Sequence, residues 1–254
     1  MFKFHIPEKN WKEQIYYALQ KNAADYSLMG DMREADRLHF LELNSESVVL
    51  LIGGGFGNTM FALSSMCKRV FVLEPDMRQY EFLKQRREED DCENVVLRHA
   101  GSQAEIAAFA AGKVFDAIIV EESPFLRAKD AFYETLIRSL KSGAGIYIAV
   151  YKRRSFRFAQ NLVRRLDLQD VRCLIILPSH RLPMFFLPLQ NIGAMRYFFR
   201  NLFYLVATIP PEKRGKYGFF IGMASMGAKI LPVHFLVFLL NIVFKSKAVV
   251  ARKA

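Results

Sequence analysis

Cysteine is scarce in this 254-residue sequence: Cys67, Cys92 and Cys173 are the only three, and they are widely spaced. That excludes a disulfide framework or a cysteine zinc site and points to a reducing compartment, the cytoplasm. The five histidines, His5, His39, His99, His180 and His234, show no metal-ligand spacing, so no metal is expected. No basic start followed by an apolar run appears at Met1, so no secretory signal is expected. Internal repeats and low-complexity tracts are also missing. Acidic residues nearly vanish from the second part of the chain. Residues 151–254 hold 18 Lys+Arg against 3 Asp+Glu, a net of +15, whereas residues 1–150 hold 18 against 22, a net of −4. Such asymmetry implies an anionic partner for the second part: nucleic acid, a membrane surface or a phosphorylated substrate.

What is present is a sizeable apolar content, 52% hydrophobic against 24% charged, which excludes disorder and supports a buried core. Residues 9–40 read as helical, with Trp11, Ile15, Tyr16 and Leu19 on one stripe. From Val48 the pattern alternates. Short apolar runs at Val48–Ile52, Arg69–Glu74, Val95–Leu97, Phe115–Val120, Gly143–Tyr151 and Val171–Leu177 read as strands. Helical segments separate them at Asn58–Lys68, Met77–Glu89, Gln103–Ala111, Asp130–Leu140 and Ser155–Leu166, the last basic and amphipathic. Strands apolar on both faces, alternating with helices, predict an α/β fold with a doubly wound, mostly parallel sheet.

Residues 178–245 break this rhythm. Pro178, Pro183, Pro188, Pro210, Pro211 and Pro232 punctuate them, and two apolar stretches, Tyr197–Ile209 and Ile230–Phe244, lie between. The second has 15 residues between Lys229 and Lys245. As a helix it would span about 22 Å, short of the roughly 30 Å of bilayer hydrocarbon, so no transmembrane helix is predicted. Lys247–Arg252 reads as a closing strand. The expected organisation is an N-terminal helical segment (1–44), a Rossmann-like unit (45–177 and 246–254) and a helical cap (178–245).

The first strand ends in Gly53-Gly54-Gly55-Phe56-Gly57 and opens a helix. Glycine lets a ligand approach the main chain, the helix start offers free amide donors, and ligands in such sheets sit beyond the carboxyl ends of the strands. Glu74 ends the next strand and can accept both hydroxyls of a ribose. The dinucleotide fingerprint asks for a small residue where Asn58 stands, so the glycines in register are Gly53, Gly55 and Gly57.

In these features the sequence resembles the class I methyltransferases that use S-adenosylmethionine, over about residues 45–178 and 246–252. The resemblance implies a seven-stranded sheet with a reversed last strand, supplied by Lys247–Arg252. It implies that Gly53, Gly54, Gly55, Phe56 and Gly57 lie under the cofactor's methionine part and that Glu74 holds its ribose. Pro75, Ser102 and Glu121 complete the implied cofactor contacts. Leu51 stands where the family often has an acid, and Ala100-Gly101-Ser102-Gln103 where it often has an Asp near the adenine. Ile52-Gly53-Gly54-Gly55-Phe56-Gly57 also resembles the polyamine (aminopropyl) synthases, whose Asp is here Phe56.

Because the sulfonium is already electrophilic, a general base is optional; Glu122 and His180 are the candidates. The stretch Leu177–Leu202 is weakly similar to an insertion in bacterial methyltransferases associated with cell-envelope glycan synthesis. Arg196, Arg200, Lys213, Arg214, Lys216, Lys229, Lys245 and Lys247 surround the apolar runs, a composition suited to an anionic membrane surface or a phosphate-linked lipid carrier. The expected acceptor is thus a glycan, lipid-linked or small amphiphilic molecule, handled on the inner face of the membrane. The rivals are a degenerate, non-catalytic module docking on membrane or partner, and an RNA methyltransferase. Arg153, Arg154, Arg157, Arg164 and Arg165 keep RNA in view, although the cap's basic residues border apolar runs rather than a polar groove.

Overall fold

The computed structural model describes residues 38–254 except 56, 90, 122–129, 151–152, 180–181, 192 and 194–246. Of the helix expected over 9–40 only the end lies among these, and His39–Leu41 is a 3-10 turn. The strands are β1 (Val48–Ile52), β2 (Arg69–Glu74), β3 (Val95–His99), β4 (Phe115–Val120), β5 (Leu140–Val150), β6 (Gln169–Ser179), β7 (Leu182–Pro188) and β8 (Lys247–Arg252). The helices are α1 (Asn58–Met66), α2 (Met77–Glu89), α3 (Gln103–Ala110), α4 (Asp130–Arg138) and α5 (Arg153–Arg165).

All eight strands join one sheet in the order β3-β2-β1-β4-β5-β8-β6-β7. The first five strands pair in parallel, whereas β8 runs antiparallel between β5 and β6. The reversed position of Lys247–Arg252 is as expected; the strand count is not. Instead of seven strands the described residues form eight, because Leu182–Pro188 pairs antiparallel with β6. Its prolines disguised it as loop. Pro183 and Pro188 lack an N–H, and a strand at the end of the sheet with one partner tolerates that loss. Pro178 sits at the register shift between Leu177 and Pro178, where the ladder is already interrupted.

Successive residues of β1 point to opposite faces, as strand pleating requires. Leu50 and Ile52 enter a cluster with Ile106 of α3, Phe132, Tyr133 and Leu136 of α4, and Phe156 and Leu162 of α5. Val49 and Leu51 enter another with Leu38, Leu41, Met60 and Leu63 of α1, and Leu83 of α2. Burial on both faces explains why the strands are apolar throughout and why the expected doubly wound α/β architecture forms. The topology places the carboxyl ends of β1 and β4 side by side where strand order reverses, the position at which open α/β sheets bind their ligands. Among the described residues no helix is long and apolar enough to cross a membrane.

Candidate functional site

The site is built around the chain leaving β1. Gly53 N–H still donates to Leu73 O in the sheet (2.9 Å), and Gly57 N–H turns back to Gly54 O (2.8 Å). Gly57, at φ +84°, precedes the first turn of α1, and its carbonyl accepts from Phe61 N–H (2.8 Å). As N-cap, Gly57 has no side chain to cap this helix start. Two glycines are required for different reasons. Gly55 has φ +54° and open space where a Cβ would stand, so the main chain is bare on that side. A Cβ on Gly57 would lie 2.9 Å from both Arg86 Cδ and Leu83 Cδ2, so here α2 presses against the loop from behind.

Glu74 ends β2 directly beside this loop. Its Oε2 accepts from Gly54 N–H at 2.6 Å and its Oε1 from Asp76 N–H at 3.0 Å, in a setting only 2% exposed. Burial pushes its carboxyl above the usual range, against the pull of the amides of Asp76, Gly54 and Gly55. A carboxylate has about four acceptor sites, so the amides leave capacity for a further donor. Pro75 follows, and its carbonyl meets His99 Nε2 at 3.2 Å. His99 lies opposite Glu74 in the parallel register and packs edge-on against Tyr80, with ring centroids 5.9 Å apart.

The β3–α3 connection joins the same wall, since Ala100 N–H donates to Glu74 O (3.1 Å). Ser102 Oγ caps α3 by accepting from Glu105 N–H (3.2 Å), while Glu105 reaches back to Gly101 N–H (2.9 Å). This is a variant of the reciprocal capping box. On the opposite side of β1, Glu121 continues the ladder by donating its N–H to Ile52 O (2.9 Å). Its Oε1 accepts from Thr59 Oγ1 at 3.0 Å, tying the end of β4 to the first turn of α1.

Gly53, Gly54, Gly55, Gly57, Glu74, Pro75, Ser102 and Glu121 therefore gather at one edge of the sheet. Phe56, Glu122 and His180, as well as the apolar runs Tyr197–Ile209 and Ile230–Phe244, lie outside the described residues. Two neighbours of the site, His99 and Arg86, were not among the residues expected there. The parallel register places His99 level with Glu74; Arg86 required knowing that Gly57 leaves room for it. A separate groove, lined by Phe40, Arg172, Leu174, Pro188 and Gln190, lies between the 3-10 turn and the β6–β7 hairpin.

The sequence matches no family model and no curated protein. Solved structures do resemble the chain. An S-adenosylmethionine-dependent O-methyltransferase of Thermotoga maritima matches at 10% identity and TM-score 0.54, covering 93% of this chain and 70% of that one. A tRNA (m1A58) methyltransferase of Aquifex aeolicus matches at 14% identity and TM-score 0.50, covering 91% and 71%. A precorrin 8W decarboxylase of Methanobacterium thermoautotrophicum matches at 17% identity and TM-score 0.50, covering 57% and 76%. At these identities the shared property is architecture. The chain has the Rossmann-like fold of the S-adenosylmethionine-dependent methyltransferases, extended at one end of the sheet by β7.

Proposed function

We propose that this protein is an S-adenosylmethionine-dependent methyltransferase acting on a glycan, lipid-linked or other small amphiphilic acceptor. The observation that carries the reading is the pairing of Glu74 with the glycine loop. A buried carboxylate already bonded to Gly54 N–H stands beside a main chain that is bare at Gly55. The donor set fits the cofactor. Glu74 is an acceptor suited to ribose hydroxyls, and the start of α1, with glycine as its N-cap, suits the approach of a carboxylate. S-adenosylmethionine supplies an activated methyl group, so the chain's part is to hold, align and exclude water. Glu74 would fix the ribose, and Pro75, His99 and Ser102 would border the base. Glu121 would face the methionine part or the acceptor from the end of β4.

The acceptor class rests on the residues after β5. Their net charge of +15, with basic residues flanking apolar runs in 178–247, suits an amphiphile with an anionic group or an anionic membrane surface. Calorimetry with S-adenosylhomocysteine tests the cofactor, and sedimentation with phosphatidylglycerol vesicles at low salt tests the acceptor class. Saturable binding and co-sedimentation are expected. Protein left in the supernatant while the vesicles pellet would sink the amphiphile reading but not the enzyme.

One observation favours the non-catalytic reading. Both carboxylate oxygens of Glu74 already accept main-chain amides, and the Ser102 hydroxyl is engaged as a helix cap. Absence of binding at millimolar S-adenosylhomocysteine would decide for it.

A further inference from the structure

Arg86 is a charged residue with 0% exposure in a helix whose other arginines, Arg78 and Arg87, reach solvent more fully. It lies one helical turn beyond Leu83, so the two side chains share a face of α2. That face is turned toward the glycine loop. Leu83 Cδ1 lies 2.6 Å from where a Cβ on Gly54 would stand, and Arg86 Cδ lies 2.9 Å from the same point on Gly57. Beyond Gly57 the guanidinium reaches the start of α1. Nη1 donates to Asn58 Oδ1 at 2.8 Å, and the guanidinium carbon sits 5.5 Å from the centre of the Phe61 ring. One planar group thus grips the last glycine, the first helical residue and the next turn of the element that follows β1. A flat fork with fixed donors and a stackable face can do this; a lysine ammonium cannot.

We propose that Arg86 is a positioning residue for the cofactor loop. Acting through Gly57 and Asn58, it sets the angle at which the glycine loop enters α1 and thereby the placement of the amides that meet the amino-acid part of S-adenosylmethionine. The inference rests on the methyltransferase reading above. It separates two portions of one ligand. The adenosine part is held by Glu74 and the β2–β3 ends. The amino-acid part lies over the segment that Arg86 grips.

The test compares two ligands, S-adenosylhomocysteine and 5′-methylthioadenosine, which lacks the amino-acid part, by calorimetry on the full chain. The variants are Arg86→Lys, Asn58→Ala and their combination. Asn58→Ala leaves α2 intact and keeps the proposal testable if Arg86→Lys proves unstable in a thermal melt. The expected result is S-adenosylhomocysteine binding weakened about tenfold in each single variant, no further in the double, with 5′-methylthioadenosine unchanged. Equal weakening of both ligands would overturn the proposal and leave Arg86 as support for the fold alone. Unchanged binding of both would overturn it as well. A wild-type protein that binds neither ligand refutes the methyltransferase reading, and this inference with it.

Discussion

Replacing Glu74 by Gln changes almost no volume but removes the acceptor at one end of a two-amide contact. In the wild type Gly54 N–H and Asp76 N–H each point at a different carboxylate oxygen, at 2.6 and 3.0 Å. A carboxamide has one oxygen, so whichever way it is flipped its NH2 faces one of these amides. Leaving one buried donor unpaired costs about 1–3 kcal/mol. The opposing effect is that a neutral side chain escapes the burial that pushes the Glu74 carboxyl up. The two partly cancel, and stability near neutral pH is expected to change by less than about 2 kcal/mol. Ligand binding has no such cancellation. On the proposed cofactor reading, at least one ribose hydroxyl would lose a charged acceptor, about 1.5–3 kcal/mol, or roughly 10–150-fold in affinity.

The pH dependences run in opposite directions. Because the folded carboxyl is raised, its contribution to stability is fully present below the ordinary glutamate value and is lost as pH rises through the raised value. Affinity for S-adenosylhomocysteine instead rises across that window, as the carboxylate forms. Calorimetry and urea melts as a function of pH, on both proteins, read the two effects separately. Glu74→Gln binding within about threefold of wild type would refute the assignment of Glu74 to the ribose. So would wild-type affinity that stays flat through the carboxylate range.

Three further outcomes are expected. Gly55→Ala should cost about 1–2 kcal/mol in a urea melt, from its left-handed backbone alone, whereas Gly57→Ala should cost a further 1–3 kcal/mol or so, because its Cβ meets Arg86 and Leu83. Ser102→Ala should lower stability by about 1 kcal/mol, through loss of the cap on Glu105 N–H, and equal stability of the two proteins would contradict that role. The Asp116 carboxyl is raised by partial burial but held below its usual range on balance by Lys141 and Val48 N–H. Its stabilisation is therefore present above the ordinary aspartate value and lost as pH falls through the lowered one, and Lys141→Met should flatten that part of the acid melt.

Much of the site was legible because its parts are local. A β-rich run, a glycine cluster, a helix start and an acid at the end of the next strand all appear within 27 residues, Val48 to Glu74. Binary patterning also gave the order of strands and helices, since both faces of the sheet are covered. What was missed depends on non-local facts. His99 seemed to lie beyond β3 because Arg98 and His99 are polar, yet the register with β2 carries pairing out to Glu74↔His99. The β7 strand hid behind Pro183 and Pro188, whose missing donors matter little at the end of a sheet. Arg86 sits in a segment so polar that nothing marks it as buried. Its site depends on Gly57, on another element, leaving space for it.

The place of β8 has a consequence for how the chain is made. β6 has β8 on one side and β7 on the other, and β5 reaches β6 only through β8. While the ribosome is still producing residues 189–246, the β6–β7 hairpin has no native strand partner among the first five strands, and the flank of β5 lacks its own. The sheet closes when Lys247–Arg252 threads into that gap. Completion of the nascent domain is therefore a late insertion event, and a premature stop before residue 247 would strand two finished pieces that have no direct edge to share.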